Sequence, residues 1–378
     1  MFTIAALTFL LASAVVAFPT SNRTGVLNAP RKIGRRCTGE IQSLADVAAA
    51  EECTTIVIGG FTVPAGETFA LAPPDGASVS LAGAITFAFK EWAGPLMTIT
   101  GNDITFNGGG HELLGQGDQY WASDFSRGSG GVTKPDPMLV LDIGGSFTNL
   151  KIVNSPERAI AIEGSSLTVS GITVDNFVLH AIAGKRILTG ELGANTDGFD
   201  VAANDVTIES STVANQDDCL AINRGTNIVF SGNTCSGGHG ISVGSISGDT
   251  TVSNVQITGN TVTSSVNGLR IKTDATASGS TVSNVVYSNN KLSGITAFGV
   301  LIDQSYPSTL GTPGTGVVIN TVTFSGTNTI AVGSSAKRVE VNCGSTSSCD
   351  GTWNWAGLTV TGGAAGAVKN APVSGGSF

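Results

Sequence analysis

A repeat in the middle of the chain constrains it more than any other feature. Four segments align: Asp-Cys-Leu-Ala-Ile-Asn (218–223), His-Gly-Ile-Ser-Val-Gly (239–244), Asn-Gly-Leu-Arg-Ile-Lys (267–272) and Phe-Gly-Val-Leu-Ile-Asp (298–303). The column extends back to Asp-Gly-Phe-Asp-Val-Ala (197–202), and the leading residues lie 21, 21, 28 and 31 positions apart. A second column sets Asn, or a neighbour of it, before alternating apolar residues, at Asn204, Asn227, Asn254, Asn284 and Asn320. A unit of about 20–30 residues with two or three short strands cannot bury its apolar face alone, so successive units must stack. The pattern predicts an all-β, single-domain, right-handed parallel β-helix. Inward Val, Ile and Leu would form its core, and outward residues would form ladders with neighbours about 4.8 Å apart. The longer separations would be one coil plus insertions, placed around 245–253, 273–283 and 305–317.

Composition agrees. Glycine supplies 51 of 378 residues, and only 12% of residues are charged. That disfavours helical bundles, which want Ala, Glu, Leu and Lys. The 41% hydrophobic content disfavours disorder. A β-sandwich is the rival, but it does not explain why polar residues of different types share one column. Residues 41–52 are the best helix candidate, expected to cap the open amino-terminal edge.

Residues 1–17 are apolar and free of acids, with Val15 and Ala17 at the small-residue cleavage positions. They predict a secretory signal that lacks a basic leader. Residues 18–36 predict a propeptide carrying the sequon Asn22-Arg23-Thr24 and ending in the dibasic pair Arg35-Arg36, which leaves 378 − 36 = 342 residues. Residues 1–36 hold five Lys or Arg and no acid, so net charge moves from −9 to 14 − 28 = −14. Such a chain should not bind nucleic acid or anionic membranes through its overall field. An anionic substrate would need a local cluster of bases. No later apolar run approaches the roughly 20 residues of a membrane span. The expectation is a secreted, extracellular, soluble monomer. Six cysteines allow 15 connectivities. They fall into the sequence-local pairs Cys37–Cys53, Cys219–Cys235 and Cys343–Cys349, and without a CxxC they do not read as metal ligands.

Asp197, Asp218 and His239 lead three successive repeats, and Asp217 sits beside Asp218. Arg270 and Lys272 follow one coil later and share a side of their strand, being two residues apart. Carboxyls crowded in this way repel, and at least one should hold its proton at about pH 5. Glycoside hydrolysis needs that arrangement: one carboxylic acid protonates the leaving oxygen while another carboxylate activates water or attacks the sugar. Arg270 and Lys272 would suit a negatively charged sugar.

Asn195-Thr196-Asp197, Gln216-Asp217-Asp218, Gly238-His239-Gly240 and Arg270-Ile271-Lys272 together resemble the four signature segments of the polygalacturonases, family 28 of the glycoside hydrolases. The resemblance runs from about Cys37 to the carboxyl terminus. It implies a right-handed parallel β-helix and inverting hydrolysis of α-1,4 bonds between galacturonates in pectic polysaccharide. By the same resemblance Asp217 is the general acid, and Asp197 and Asp218 position and deprotonate water. His239 tunes the acid, Arg270 and Lys272 hold a substrate carboxylate, Asn195 lines the cleft, and Tyr306 lies near the scissile subsites. No cofactor or metal is implied. The chain departs from many relatives at Ala194, where His is common, at Phe298, where Tyr is common, and in a tail from Ala364 to Phe378 without Cys. His111 and His180 match no signature segment and read as loop or turn residues.

Three other functions share the fold: exo-acting hydrolysis, calcium-dependent β-elimination by a pectate lyase, and a polysaccharide-binding solenoid without turnover. The modest insertions favour endo action over exo, and the imidazole beside an Asp-Asp pair favours hydrolysis over elimination.

Overall fold

The protein was analysed as a computed structural model, which describes residues 33–121, 132–177 and 193–378. The signal segment, the sequon and His180 lie outside the described residues. Among the described residues every strand pair is parallel, and strands in the body of the coil bond to strands one coil before and one coil after them. This excludes the sandwich and gives a parallel β-helix-like coil. The site-bearing ladder runs through Phe199–Ala202, Asp218–Ser231, Gly240–Ile246, Asn267–Asp274 and Phe298–Tyr306. A second ladder runs through Val206–Glu209, Thr251–Thr258, Ser280–Ser288 and Val317–Ser325. A third joins Thr212–Asn215, Thr234–Gly237, Thr261–Thr263 and Lys291–Ile295.

The repeat alignment is the register of the fold. Phe199 pairs with Leu220, Leu220 with Ile241, Ile241 with Leu269 and Leu269 with Val300, all at most 1% exposed. Each such side chain, fully buried, contributes about 1.5–3 kcal/mol. The second column marks a corner. Asp205, Asn227, Asn254, Asn284 and Thr321 all have φ between 54 and 61°. Asn and Asp tolerate that left-handed conformation better than other non-glycine residues. Their side chains also bond coil to coil: Asn227 Nδ2 donates to Asp205 Oδ1 (2.8 Å), Asn254 to Asn227 (3.0 Å) and Asn284 to Asn254 (2.9 Å). In the first and last of these coils the corner falls one residue after Asn204 and Asn320. A second, buried asparagine ladder, Asn233–Asn260–Asn290–Asn328, was not singled out from the sequence, although each member stands two residues before an apolar strand residue. The amide oxygens of Asn260, Asn290 and Asn328 each accept the backbone N–H of the preceding member, and that of Asn233 accepts the Ser211 N–H.

The insertions are shorter than expected but fall in the expected places, at 247–250, 275–279 and 307–316. The expected helix over 41–52 is also shorter: a 3-10 turn at Leu44–Asp46 and one α turn at Val47–Ala50. Ile41 is committed to strand pairing opposite Ile58, and Cys53 begins the next strand. Disulfides join Cys37–Cys53, Cys219–Cys235 and Cys343–Cys349. The dibasic pair is exposed and begins the strand Arg35–Ile41. At the other end, Phe378 packs on Trp355 with ring centroids 5.7 Å apart, and Val373–Ser374 pairs with Trp353–Asn354. The cysteine-free tail is therefore held by ring packing and strand pairing. His111 lies in the turn before Glu112–Leu114, its N–H on the Gly108 carbonyl (2.9 Å). Among the described residues no helix is long and apolar enough to cross a membrane.

Candidate active site

The carboxyls sit where one ladder slips. Asp218 pairs with Gly240, yet Leu220 pairs with Ile241, so one strand carries an extra residue. A bulge of this kind re-aims side chains locally. Asp217, not Asp218, therefore lies beside His239, whose N–H bonds the Asp217 carbonyl (2.9 Å). The equal spacing of Asp197, Asp218 and His239 in the sequence thus hides a one-residue offset. Gly238 and Gly240 flank His239 at φ 54 and 84°. A Cβ on Gly240 would strike the Asn267 and Gly268 carbonyls, so this turn admits only glycine there.

Asp217 Oδ1 lies 2.8 Å from His239 Nδ1 and accepts the Asp218 N–H (2.8 Å), while Oδ2 accepts the Asn195 N–H (3.0 Å). Burial pushes the Asp217 carboxyl up, but the His239 hydrogen bond and charge, Lys272 and the Asn195 amide outweigh it and hold it below the ordinary value. Asp218 has a fully buried side chain. Its Oδ1 accepts from Ser242 Oγ (2.8 Å) and Arg270 Nη2 (2.8 Å), and its Oδ2 from Arg270 Nη2 (3.1 Å) and Lys272 Nζ (2.8 Å). Both cations expected to hold substrate are thus already bonded to Asp218. Lys272 Nζ also lies 5.2 Å from the centre of the Tyr306 ring, which is 36% exposed.

Asp197 is driven well above the ordinary carboxyl value by burial and by the charges of Asp200, Asp217 and Asp218, against which Lys272 works. Of the three carboxyls in this cluster, Asp197 is the one whose burial and neighbouring charges favour its protonated form. Among the described residues, Asp217, Asp218 and His239 bring ligand atoms within 4.8 Å of one another. Asp218 spends its oxygens on three cationic bonds and a hydroxyl, so the donor set matches an acid–base cluster better than a cation site.

Several residues of the site were not singled out from the sequence. Ser242 shares a ladder row with Arg270 and was legible in the repeat alignment. Asp200 sits on the outward side of its strand, three residues after Asp197, with one carboxylate oxygen buried and unpartnered. Its Oδ1 accepts from Asn223 Nδ2 (3.2 Å) and lies 4.0 Å from Arg158, which Asp136 holds through two bonds of 2.8 and 2.7 Å. Nothing local in the sequence links Asp136 with Arg158. Asn195, at φ 59°, donates to Glu157 (3.3 Å). Burial and Asp136 raise the Glu157 carboxyl. Ala194 is exposed and Phe298 is half-buried at the head of its strand.

Burial raises Asp200 to about 7, opposed by Arg158 and Asn223. A carboxyl raised on folding makes the native state bind more protons than the unfolded chain between its two values. Its stabilisation is complete below the unfolded value of about 4 and lost as pH rises to about 7. At 1.36 kcal/mol per unit, this amounts to as much as roughly 4 kcal/mol. Urea unfolding should therefore show lower stability at neutral than at acidic pH, and Asp200→Asn should flatten that dependence. An unchanged slope in the variant would assign the loss to other groups.

A family model described as glycosyl hydrolases family 28 matches residues 53–376. The chain is 44% identical over 361 residues to a probable endopolygalacturonase A of Neosartorya fischeri, covering 93% of each. It is 43% identical over 371 residues to an endo-polygalacturonase of Sclerotinia sclerotiorum, again covering 93% of each. Among solved structures it resembles endopolygalacturonase I from Stereum purpureum complexed with two galacturonate, with TM-score 0.83 and 48% identity, over 90% of this chain and 100% of that one. The four signature segments meet on one face of the coil, and the likeness runs over nearly all of it: the chain belongs to the glycosyl hydrolases of family 28.

Proposed function

We propose that this protein is a secreted, endo-acting hydrolase that cleaves α-1,4-galacturonosyl bonds of de-esterified pectin with inversion, on a coil of right-handed sense, the hand parallel crossovers adopt. The observation that carries the reading is the Asp217–His239 contact next to an Asp218 carboxylate held by Arg270 and Lys272. The similar proteins named above are endo-enzymes, which favours endo over exo action.

In this reading Asp217 delivers the proton to the leaving oxygen. The 2.8 Å contact lets one proton sit on either Nδ1 of His239 or Oδ1 of Asp217. The pair, rather than Asp217 alone, is then the acid. Asp197 and Asp218 orient the attacking water, and Asp197 must give up its proton to serve as base. The reactive form therefore has the proton on the Asp217–His239 pair and none on Asp197, a redistribution that sets both limbs of a bell-shaped pH profile. Arg270, Lys272 and Tyr306 would meet the substrate from the following coils, and Asn195 from the preceding turn. Proton transfer here uses carboxyls and an imidazole, so the reading calls for no cofactor. Residues 1–17 as a signal and 18–36 as a propeptide ending at an exposed dibasic pair complete the proposal of a secreted monomer.

Digestion of polygalacturonate at about pH 5 in the presence of a chelator tests it. The expected result is new reducing ends, no unsaturated-product absorbance and a falling ladder of oligomers. Monomer alone from the earliest times would make the enzyme exo-acting. Unsaturated products would mean elimination and overturn the roles of Asp197, Asp217 and Asp218. No turnover would leave a binding solenoid.

A further inference from the structure

We propose that Asn215 is a positioning residue for this reaction: its buried amide ties the turn bearing Asp197 to the strand bearing Asp217 and Asp218. Asn215 ends the strand Thr212–Asn215 and is 1% exposed. Its Nδ2 donates to the Thr196 carbonyl (2.9 Å) and to the Asp218 carbonyl (2.8 Å). One amide thus bridges the residue before the proposed base and the second residue of the Asp-Asp pair.

Two observations separate this role from ordinary stabilisation. Both carbonyls already have another donor: the Gly198 N–H reaches Asp218 O (2.9 Å), and Asn176 Nδ2 reaches Thr196 O (3.5 Å). Removing the Asn215 amide leaves neither of them unpaired. Meanwhile Asn215 Oδ1 is buried with no partner. Turning the amide over would set Oδ1 against two carbonyl oxygens, so the acceptors dictate the orientation and leave the oxygen stranded. An unpaired buried carbonyl works against folding. This side chain therefore holds the turn and the strand at a fixed separation at some expense to stability.

The neighbouring bonds do a different job. Thr196 Oγ1 donates to the Gly193 carbonyl (2.6 Å) and accepts the Gln216 N–H (3.1 Å), and the Gly193 N–H reaches Gln216 Oε1 (3.0 Å). These shape the 193–196 turn and hold its near end. Among the described residues, Asn215 is the side chain that joins it to Asp218, beside the backbone bond from the Gly198 N–H. The turn also supplies the Asn195 N–H that holds Asp217 Oδ2. A loosened turn would displace base and acid together, and a small misplacement of reacting groups is costly to rate.

This inference rests on the hydrolase reading, and its test distinguishes the two. Asn215→Ala and Asn215→Ser are compared with the parent on polygalacturonate for kcat, KM and melting temperature, and the Ala variant is crystallised. The expected result is a kcat loss of roughly 10–100-fold for Ala with KM little changed. Ser, which keeps one donor, should lose less. The crystal structure should show the 195–197 turn displaced relative to 217–218. An unchanged kcat, or a loss that only follows the folded fraction, overturns the proposal. So does failure of both variants to fold, which would assign Asn215 to the fold itself. An inactive parent would sink the hydrolase reading instead, and an unmoved turn in the variant would then overturn this one.

Discussion

Asp217→Asn should lower kcat on polygalacturonate by at least about 10²–10⁴-fold, the range that general acid catalysis supplies. The amide has the size of the carboxyl but cannot deliver a proton. It also disturbs the local bonding. Asp217 accepts two backbone N–H groups and faces His239 Nδ1, so an Asn side chain must turn its NH₂ toward either the Asn195 N–H or the His239 side. Either choice gives up one backbone bond, the Asn195 N–H in the first and the Asp218 N–H in the second, at a cost of about 1–3 kcal/mol. The fold should therefore survive, with a modest drop in melting temperature from that of the parent. Near-parental kcat would remove Asp217 from the role of acid.

Arg270→Met should produce the largest loss of stability among single changes at the site, about 3–5 kcal/mol in urea unfolding, as for a buried ion pair that loses one partner. Asp218 is fully buried, and Arg270 supplies two of its four side-chain hydrogen bonds. Arg270 Nε also holds Ser242 Oγ (3.0 Å), which itself donates to Asp218. The change strips the carboxylate of its guanidinium and loosens the hydroxyl. Lys272→Met should cost less, because it removes a single bond to Oδ2. A loss below about 1 kcal/mol for Arg270→Met would place the pair among surface salt bridges. Activity should fall in both variants, since the cations are proposed to meet the substrate carboxylate as well.

The two columns show how far the chain could be read without its structure. Phe199, Leu220, Ile241, Leu269 and Val300 occupy one row because coils stack at nearest neighbours, so sequence periodicity maps directly onto space. The corner asparagines were visible for the same reason. The buried ladder of Asn233, Asn260, Asn290 and Asn328 was not, because an asparagine before a strand reads as a surface turn residue until its burial is known.

The site divides along similar lines. Asp197, Asp217, Asp218, His239, Arg270 and Lys272 were brought to one face by repeat spacing alone. The bulge at Asp218–Leu220 then placed Asp217 beside His239, a choice that a one-residue slip reverses and equal spacing conceals. The engagement of Arg270 and Lys272 with Asp218, the upward push on the Asp197 carboxyl and the two hydrogen bonds of Asn215 between turn and strand all depend on distances near 3 Å and on which atoms water reaches. Stacking and hydrophobic burial act through residue type and spacing, which a linear sequence carries, so the sequence by itself determined the coil, its core and which of the proposed site residues lead successive coils. Hydrogen bonding and charge depend on side-chain aim and desolvation, so only the tertiary structure decided how the site's protons and cations are shared.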